Sequence, residues 1–269
     1  MDFLSQWIDH IFNNTSNFTT FVTDNITKTP ADIFGKDFWN SLLKVGMSAV
    51  MPFAITLLCY AMANELYRVY CKSNGAMDLE LVATTIVKFI LPFVLITKTY
   101  DFLQLIFTAI NGMVSKIYAA VTIGTGNSID TSAWAQQISQ MNFMQKLGLI
   151  IQLWGPYLGM ALMTVVATVI VYGRIFELVF YWLFAPIPFA LFISEEYSNV
   201  AKNFIKMFCA LILQGGFMIL SVVMYLMLIK SVSLQASIAG SFEMFGYTCV
   251  LGFALVKSGA LAKRLLGTF

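Results

Sequence analysis

Apolar residues in this chain come in long uninterrupted stretches rather than in alternation. Strong runs lie near 45–64, 147–172, 175–194 and 207–229. Each is close to the roughly 20 residues that a helix needs to cross a bilayer. Weaker runs lie at 81–98, 102–121 and 244–262. Lys88 interrupts the first of these. Asn111, Ser115 and Lys116 make the second amphipathic, and Gly246, Gly252 and Lys257 dilute the third. Continuous runs argue against a closed β-barrel, whose strands alternate. The pattern predicts an all-α, polytopic integral membrane protein with five to seven transmembrane helices, and we prefer seven.

The N-terminus reads differently. Leu4, Ile8 and Ile11 recur at helical spacing, with Trp7 beside them. This predicts an N-terminal amphipathic helix lying at the membrane interface. In the alternative reading a soluble partner covers the same face. Asp2 and Asp9 stand where a cleavable signal would be basic, so no such signal is expected. The chain is therefore divided into an N-terminal amphipathic, extracytoplasmic segment, 1–43, and a polytopic transmembrane domain, 44–269. Polar connections fall at 66–80, 122–146 and 195–206. The longest carries Trp134 and predicts a further helix near the headgroups.

Composition sharpens this picture. The chain is 59% hydrophobic and 11% charged, with mean hydropathy +0.78. A soluble domain carries about 25% charged residues, so the first partner expected is the lipid bilayer. The net charge of +2 is too small for a nucleic-acid-binding surface. His10 is the only histidine, which excludes a His-rich metal site. Cys59, Cys71, Cys209 and Cys249 form no CxxC pair and are expected to be buried small apolar residues. There is no Walker loop, GxSxG or HExxH. Glu195–Glu196 is a carboxylate pair in a polar loop, where a solvated role is expected. No enzyme, cofactor or metal is expected.

The segment GRIFELVFYWLFAPIPFALF, 173–192, holds the candidate working residues. Arg174 and Glu177 share a helix face at i and i+3 and can pair. The pairing would lock helices together, or it would leave a polar contact for another subunit or a transported substrate. Pro186 and Pro188 remove two backbone donors. Irregular backbone at membrane depth must be covered by protein or line a wet cavity. A broken or re-entrant helix and a plain bend both satisfy that. Gly155 and Gly159 form GxxxG around Pro156, and Gly215–Gly216 follows Gln214. Both allow close helix contact, within the chain or between copies. Lys88 and Asp101 are further charges in or beside the apolar runs, and either can snorkel harmlessly to the interface.

In order, VIVYGRIFELVFYWLFAPIPFALFISEEYSNVAKNFIKMFCALILQGGFMIL presents a YGR…E start, a PIP break, a short polar loop and a Gln-Gly helix. It resembles the TrbL-like (VirB-six-like) polytopic membrane subunits of conjugative type IV secretion systems, and the short forms of Gram-positive elements in particular. The resemblance is clearest over about 147–230 and extends more loosely to the N-terminal amphipathic segment and the first span. It implies a non-enzymatic scaffold or channel subunit in the bacterial cytoplasmic membrane, within a machine that exports DNA–protein complexes. The implied partners are identical copies, other type IV secretion membrane subunits, secretion ATPases and the translocating single-stranded DNA–protein substrate. Arg174, Glu177, Pro186, Pro188 and Gln214 match the family's recurrent features as assembly residues. The sequence stops after LAKRLLGTF, short of the long polar extension of many TrbL proteins, so no function of such an extension is expected. The competing reading is a small-solute secondary transporter, but a second matching helix break is absent. The Lys and Arg distribution places the N-terminus extracytoplasmic and the C-terminus cytoplasmic.

Overall fold

The computed structural model describes residues 2–72, 79–123, 136, 138–194, 196–234 and 238–267. Among them every regular element is a helix, as expected. In chain order these are α1 (Asp2–Thr27), α2 (Pro30–Phe34), α3 (Lys36–Val45), a π-helical turn at Gly46–Val50, α4 (Met51–Lys72), α5 (Leu79–Thr97), α6 (Thr99–Ile123), α7 (Phe143–Phe184), α8 (Pro186–Ala190), a 3-10 turn at Leu191–Ile193, α9 (Ser198–Leu234) and α10 (Ile238–Leu265). The expected headgroup helix around Trp134 lies outside the described residues, as does Glu195.

Among the described residues five stretches are long and apolar enough to cross a membrane: Lys36–Lys72, Thr99–Ala120, Phe143–Ile193, Ser198–Ser231 and Phe242–Leu265. The preferred count of seven gives way to five for two reasons. The run at 147–172 and the first half of the run at 175–194 lie in one helix, α7, and the rest continues through α8 and the 3-10 turn as part of one apolar stretch, Phe143–Ile193. Arg174 does not end that helix, because its charge is satisfied inside the protein. At 1.5 Å per residue α7 is about 63 Å long, roughly twice the hydrocarbon core of a bilayer. The run at 81–98 supplies only a shorter apolar stretch, Ala83–Thr97.

The described chain forms two compact units, each gathered from separate segments. The first comprises Met1–Thr27, Asn111–Arg174 and Leu213–Ala262. Here α1 is longer than the sequence suggested, and the chain itself covers its inner face. Ile8, Ile11, Phe12, Thr15, Phe18, Thr19, Val22, Thr23 and Ile26 are all buried at helical spacing. The three threonines tolerate burial because each hydroxyl donates to the carbonyl four residues back, at 2.8–3.0 Å. The helix runs parallel to the first part of α7. Trp7 meets Trp154 and Tyr157, with ring centroids 5.7 and 6.0 Å apart, and Phe21 meets Tyr172 at 6.3 Å. The side chain of Leu4 lies outside the described set. The GxxxG seam is used within the chain: a Cβ on Gly159 would sit 3.2 Å from the ring of Phe245 on α10.

The second unit comprises Lys28–Ile110, Ile175–Ile212 and Lys263–Phe269. Its centre is Trp182, 1% exposed. Three rings surround it: Trp39 at 5.4 Å, Phe107 at 5.5 Å and Phe208 at 5.5 Å, the first and last edge-on. Gly35, at φ 89°, makes the corner between α2 and α3 that a side chain would resist. The π turn lies just before Pro52, which withdraws one helical donor. Gly46 opens that turn and seats the Tyr100 ring; an added Cβ would collide with the Tyr100 hydroxyl.

Burial of the cysteines was wrongly expected. Cys59, Cys71 and Cys249 are exposed, and Cys209 is half-buried. The physical reason is that lipid is as apolar as a protein core. An apolar run in a spanning helix therefore does not report which residues the chain itself covers.

Candidate functional site

The last turn of any α-helix leaves carbonyls without intrahelical partners, and its end carries partial negative charge. In α1 those carbonyls meet side chains from two other helices. Arg174, from α7, donates through Nη1 to the Ile26 carbonyl at 3.4 Å. Asn111, from α6, donates through Nδ2 to the Thr27 carbonyl at 2.7 Å. The Thr27 hydroxyl also donates backward, to the Thr23 and Asp24 carbonyls at 3.2 Å each. Arg174 is 3% exposed. A charge buried this far needs an opposite partner, and the negative end of α1 is one.

The seat for the guanidinium comes from α9. A Cβ built on Gly215 would stand 2.7 Å from Cζ and from both terminal nitrogens of Arg174. Glycine thus lets the α9 backbone approach where any side chain would occupy the same space. The flanking residues serve different neighbours. A Cβ on Gly216 would fall 2.9 Å from Val114 of α6. Gln214 lies against Gly259 of α10, 3.2 Å from where a Cβ would be. The Gln-Gly-Gly step therefore accommodates side chains or backbone from three helices in three successive residues.

The candidate residues are placed unequally. Arg174 and the Gln214–Gly216 step come together in the first unit. Glu177 is exposed, although it follows Arg174 by three positions. An ion pair at that spacing occurs elsewhere, in α4, where Arg68 lies 3.4 Å from the buried Glu65. Lys98 and Asp101 form another, 3.6 Å apart, but both side chains are largely exposed and the pair contributes little.

Pro186 and Pro188 lie in the second unit. Pro186 is buried as the first residue of α8, where a helix needs no donor. α8 packs on α4 and α5. Phe189 is fully buried and meets Phe102 at 6.0 Å and Phe204 at 5.6 Å. Backbone geometry stays helical through Ala185 and becomes extended only at Ser194. The break is therefore a stepped end to α7, covered by protein, from which the chain turns into α9.

Sequence reading missed Asn111 as a cap, Gly215 as a seat and Glu65 as a buried acid. Among the described residues no three His, Cys, Asp or Glu side chains are grouped to hold a metal. The arrangement holds helix ends and interfaces in register.

No curated protein and no solved structure matches the chain. One family, described as TrbL/VirB6 plasmid conjugal transfer like protein, matches residues 15–186. That segment begins within α1 and includes Asn111, Arg174, Glu177 and Pro186; Pro188 and Gln214 fall beyond it. It takes in the first span and most of the N-terminal segment, to which the resemblance extends loosely, and the first part of the stretch 147–230 where it is clearest. Since the match covers well over half of the 269 residues, and the fold is a set of apolar helices, the chain belongs to the TrbL/VirB6-like conjugal transfer family.

Proposed function

We propose that this protein is a non-enzymatic scaffold and channel subunit of a type IV secretion machine that exports DNA–protein complexes. The observation that carries this reading is how unevenly its spans are covered. The windows in Phe143–Ile193 and Ser198–Ser231 are 44% and 50% buried, whereas those in Lys36–Lys72, Thr99–Ala120 and Phe242–Leu265 are 17%, 17% and 28% buried. Three spans thus leave most of their apolar surface to lipid or to neighbouring subunits. Family membership supplies the machine. The uncovered faces suit identical copies and other membrane subunits, and secretion ATPases would supply the energy.

Pro186→Ala with Pro188→Ala tests the reading. The pair restores two backbone donors and lets α7 continue through the step. Insertion and abundance should persist while conjugative DNA transfer falls strongly. Co-purification with the other subunits then separates lost assembly from a blocked passage. Deletion of the whole chain must abolish transfer and be complemented in trans. Normal transfer without it would remove the proposed function, and normal transfer in the proline variant would remove the step from the working part.

A further inference from the structure

A groove of about 430 Å³ lies beside the N-terminus of α9 and serves nothing described above. Lys88 of α5 and Lys202 of α9 border it, both exposed. Val87, Leu91 and Phe192 give it an apolar wall. Ser194 also lines it. That residue is 1% exposed, and its hydroxyl has no hydrogen-bond partner among the described residues. Its backbone is already engaged: its N–H donates to Leu191 at 3.3 Å, and its carbonyl accepts from Ser198 at 2.8 Å. A buried hydroxyl without a partner is destabilising, so its place beside two cations calls for an acceptor. The N-terminus of α9, a helix of 37 residues, adds partial positive charge. Lys206, one turn beyond Lys202, is also exposed and extends the basic row. Glu196 is exposed in the preceding turn and does not line the groove.

Two cations and a free hydroxyl select an anionic oxygen. The apolar wall discriminates further. A small soluble anion gains nothing from Val87, Leu91 and Phe192, whereas an acyl chain does. We infer that this groove binds an anionic phospholipid, with its phosphate between Lys88 and Lys202, the Ser194 hydroxyl donating to it, and an acyl chain along the apolar wall. Lys88, which interrupts an apolar run in the sequence, then has a specific role in place of general snorkelling.

The full-length chain, purified in phosphatidylcholine nanodiscs and titrated with phosphatidylglycerol, tests this by native mass spectrometry. The wild type should retain one phosphatidylglycerol under conditions that strip phosphatidylcholine. Lys88→Gln with Lys202→Gln should weaken retention about thirtyfold, since each lysine near an anionic headgroup contributes about 1 kcal/mol. Lys88→Arg with Lys202→Arg should restore most of it. Lys36→Gln with Lys116→Gln, an equal change of charge elsewhere, should leave it unchanged. Ser194→Ala should weaken it severalfold. Equal retention of both lipids, or equal loss in the control pair, overturns the inference. Displacement by millimolar inorganic phosphate would reassign the site to a free anion. Displacement by a single-stranded oligonucleotide would reassign it to DNA, and either result overturns the lipid.

Discussion

Gly215→Ala is the most direct probe of the Arg174 site. The new methyl would lie 2.7 Å from three guanidinium atoms, closer than van der Waals contact allows. Arg174 has little room to retreat, being 3% exposed and hydrogen-bonded to Ile26. Overpacking of this kind costs about 1–3 kcal/mol. Against it stands the gain from replacing a mid-helix glycine by alanine, about 1 kcal/mol. The net single effect should be a loss of about 0–2 kcal/mol. Arg174→Met should cost about 1.5–3 kcal/mol, the worth of a hydrogen bond to a charged group. The informative quantity is the double variant. Methionine is shorter and flexible and leaves room for the methyl. In that background Gly215→Ala should be neutral or stabilising by up to about 1 kcal/mol. The two changes should therefore couple by about 1–3 kcal/mol. Unfolding of the purified chain in mixed micelles of rising SDS content, followed by tryptophan fluorescence, gives the four stabilities. Gly216→Ala is the control, since its methyl would meet Val114 and should add independently to Arg174→Met. If Gly215→Ala and Arg174→Met add within about 0.5 kcal/mol, the guanidinium does not rest on that glycine and the site is wrongly described.

Three other outcomes are expected. Glu177→Leu should change membrane abundance little, with the Arg174→Met/Glu177→Leu pair no worse than Arg174→Met alone; rescue of Arg174→Met by the second change would reveal a functional ion pair that the exposed position of Glu177 does not suggest. Asp32 accepts from the Thr29 hydroxyl at 2.6 Å and from the Thr29 N–H at 3.1 Å, which together hold its carboxyl below the usual carboxylate range. Its contribution is therefore full above the unfolded pKa of about 4 and lost as pH falls through the lower folded value; the protection factors of the α2 amides, taken relative to intrinsic exchange at each pH, should fall below pH 4 in the wild type and show no such step in Asp32→Asn. Finally, the Lys and Arg distribution expects Lys202, Lys206, Lys263 and Arg264 on one cytoplasmic side, so single cysteines replacing Ser198 and Thr268 in a cysteine-free chain should both resist an impermeant label in intact cells; labelling of either overturns that orientation.

The apolar runs made the helical class legible, because a spanning helix needs a length that soluble elements rarely reach. They did not show where one helix ends. Arg174 looked like a boundary because an isolated charge is costly in hydrocarbon, yet it donates to the Ile26 carbonyl, and carbonyls leave no mark in a sequence. The periodicity of α1 was present from Ile8 to Ile26, but it becomes visible only when Thr15, Thr19 and Thr23 count as core positions. Their hydroxyls satisfy themselves on the preceding turn, so polarity at those positions says nothing about exposure. Likewise Gln-Gly-Gly announced close packing, while the three partners it accommodates come from segments about 40–100 residues away, and only the fold brings them there.

The same distinction explains which candidate residues carry structural information. Pro186 acts locally: it fixes the first turn of α8 whatever surrounds it, and its effect could be read from sequence. Arg174 acts at a distance, since its charge has meaning only where α1 ends. A membrane segment holds an arginine at low cost only where something negative is supplied, and among the described residues α1 supplies it through the carbonyl end of a helix rich in threonine and asparagine. That choice has a consequence. A carboxylate partner could be protonated or replaced independently, whereas a helix end is available only when the whole helix is formed and docked. The position of Arg174 is thereby tied to the folding of α1, 148 residues earlier in the chain.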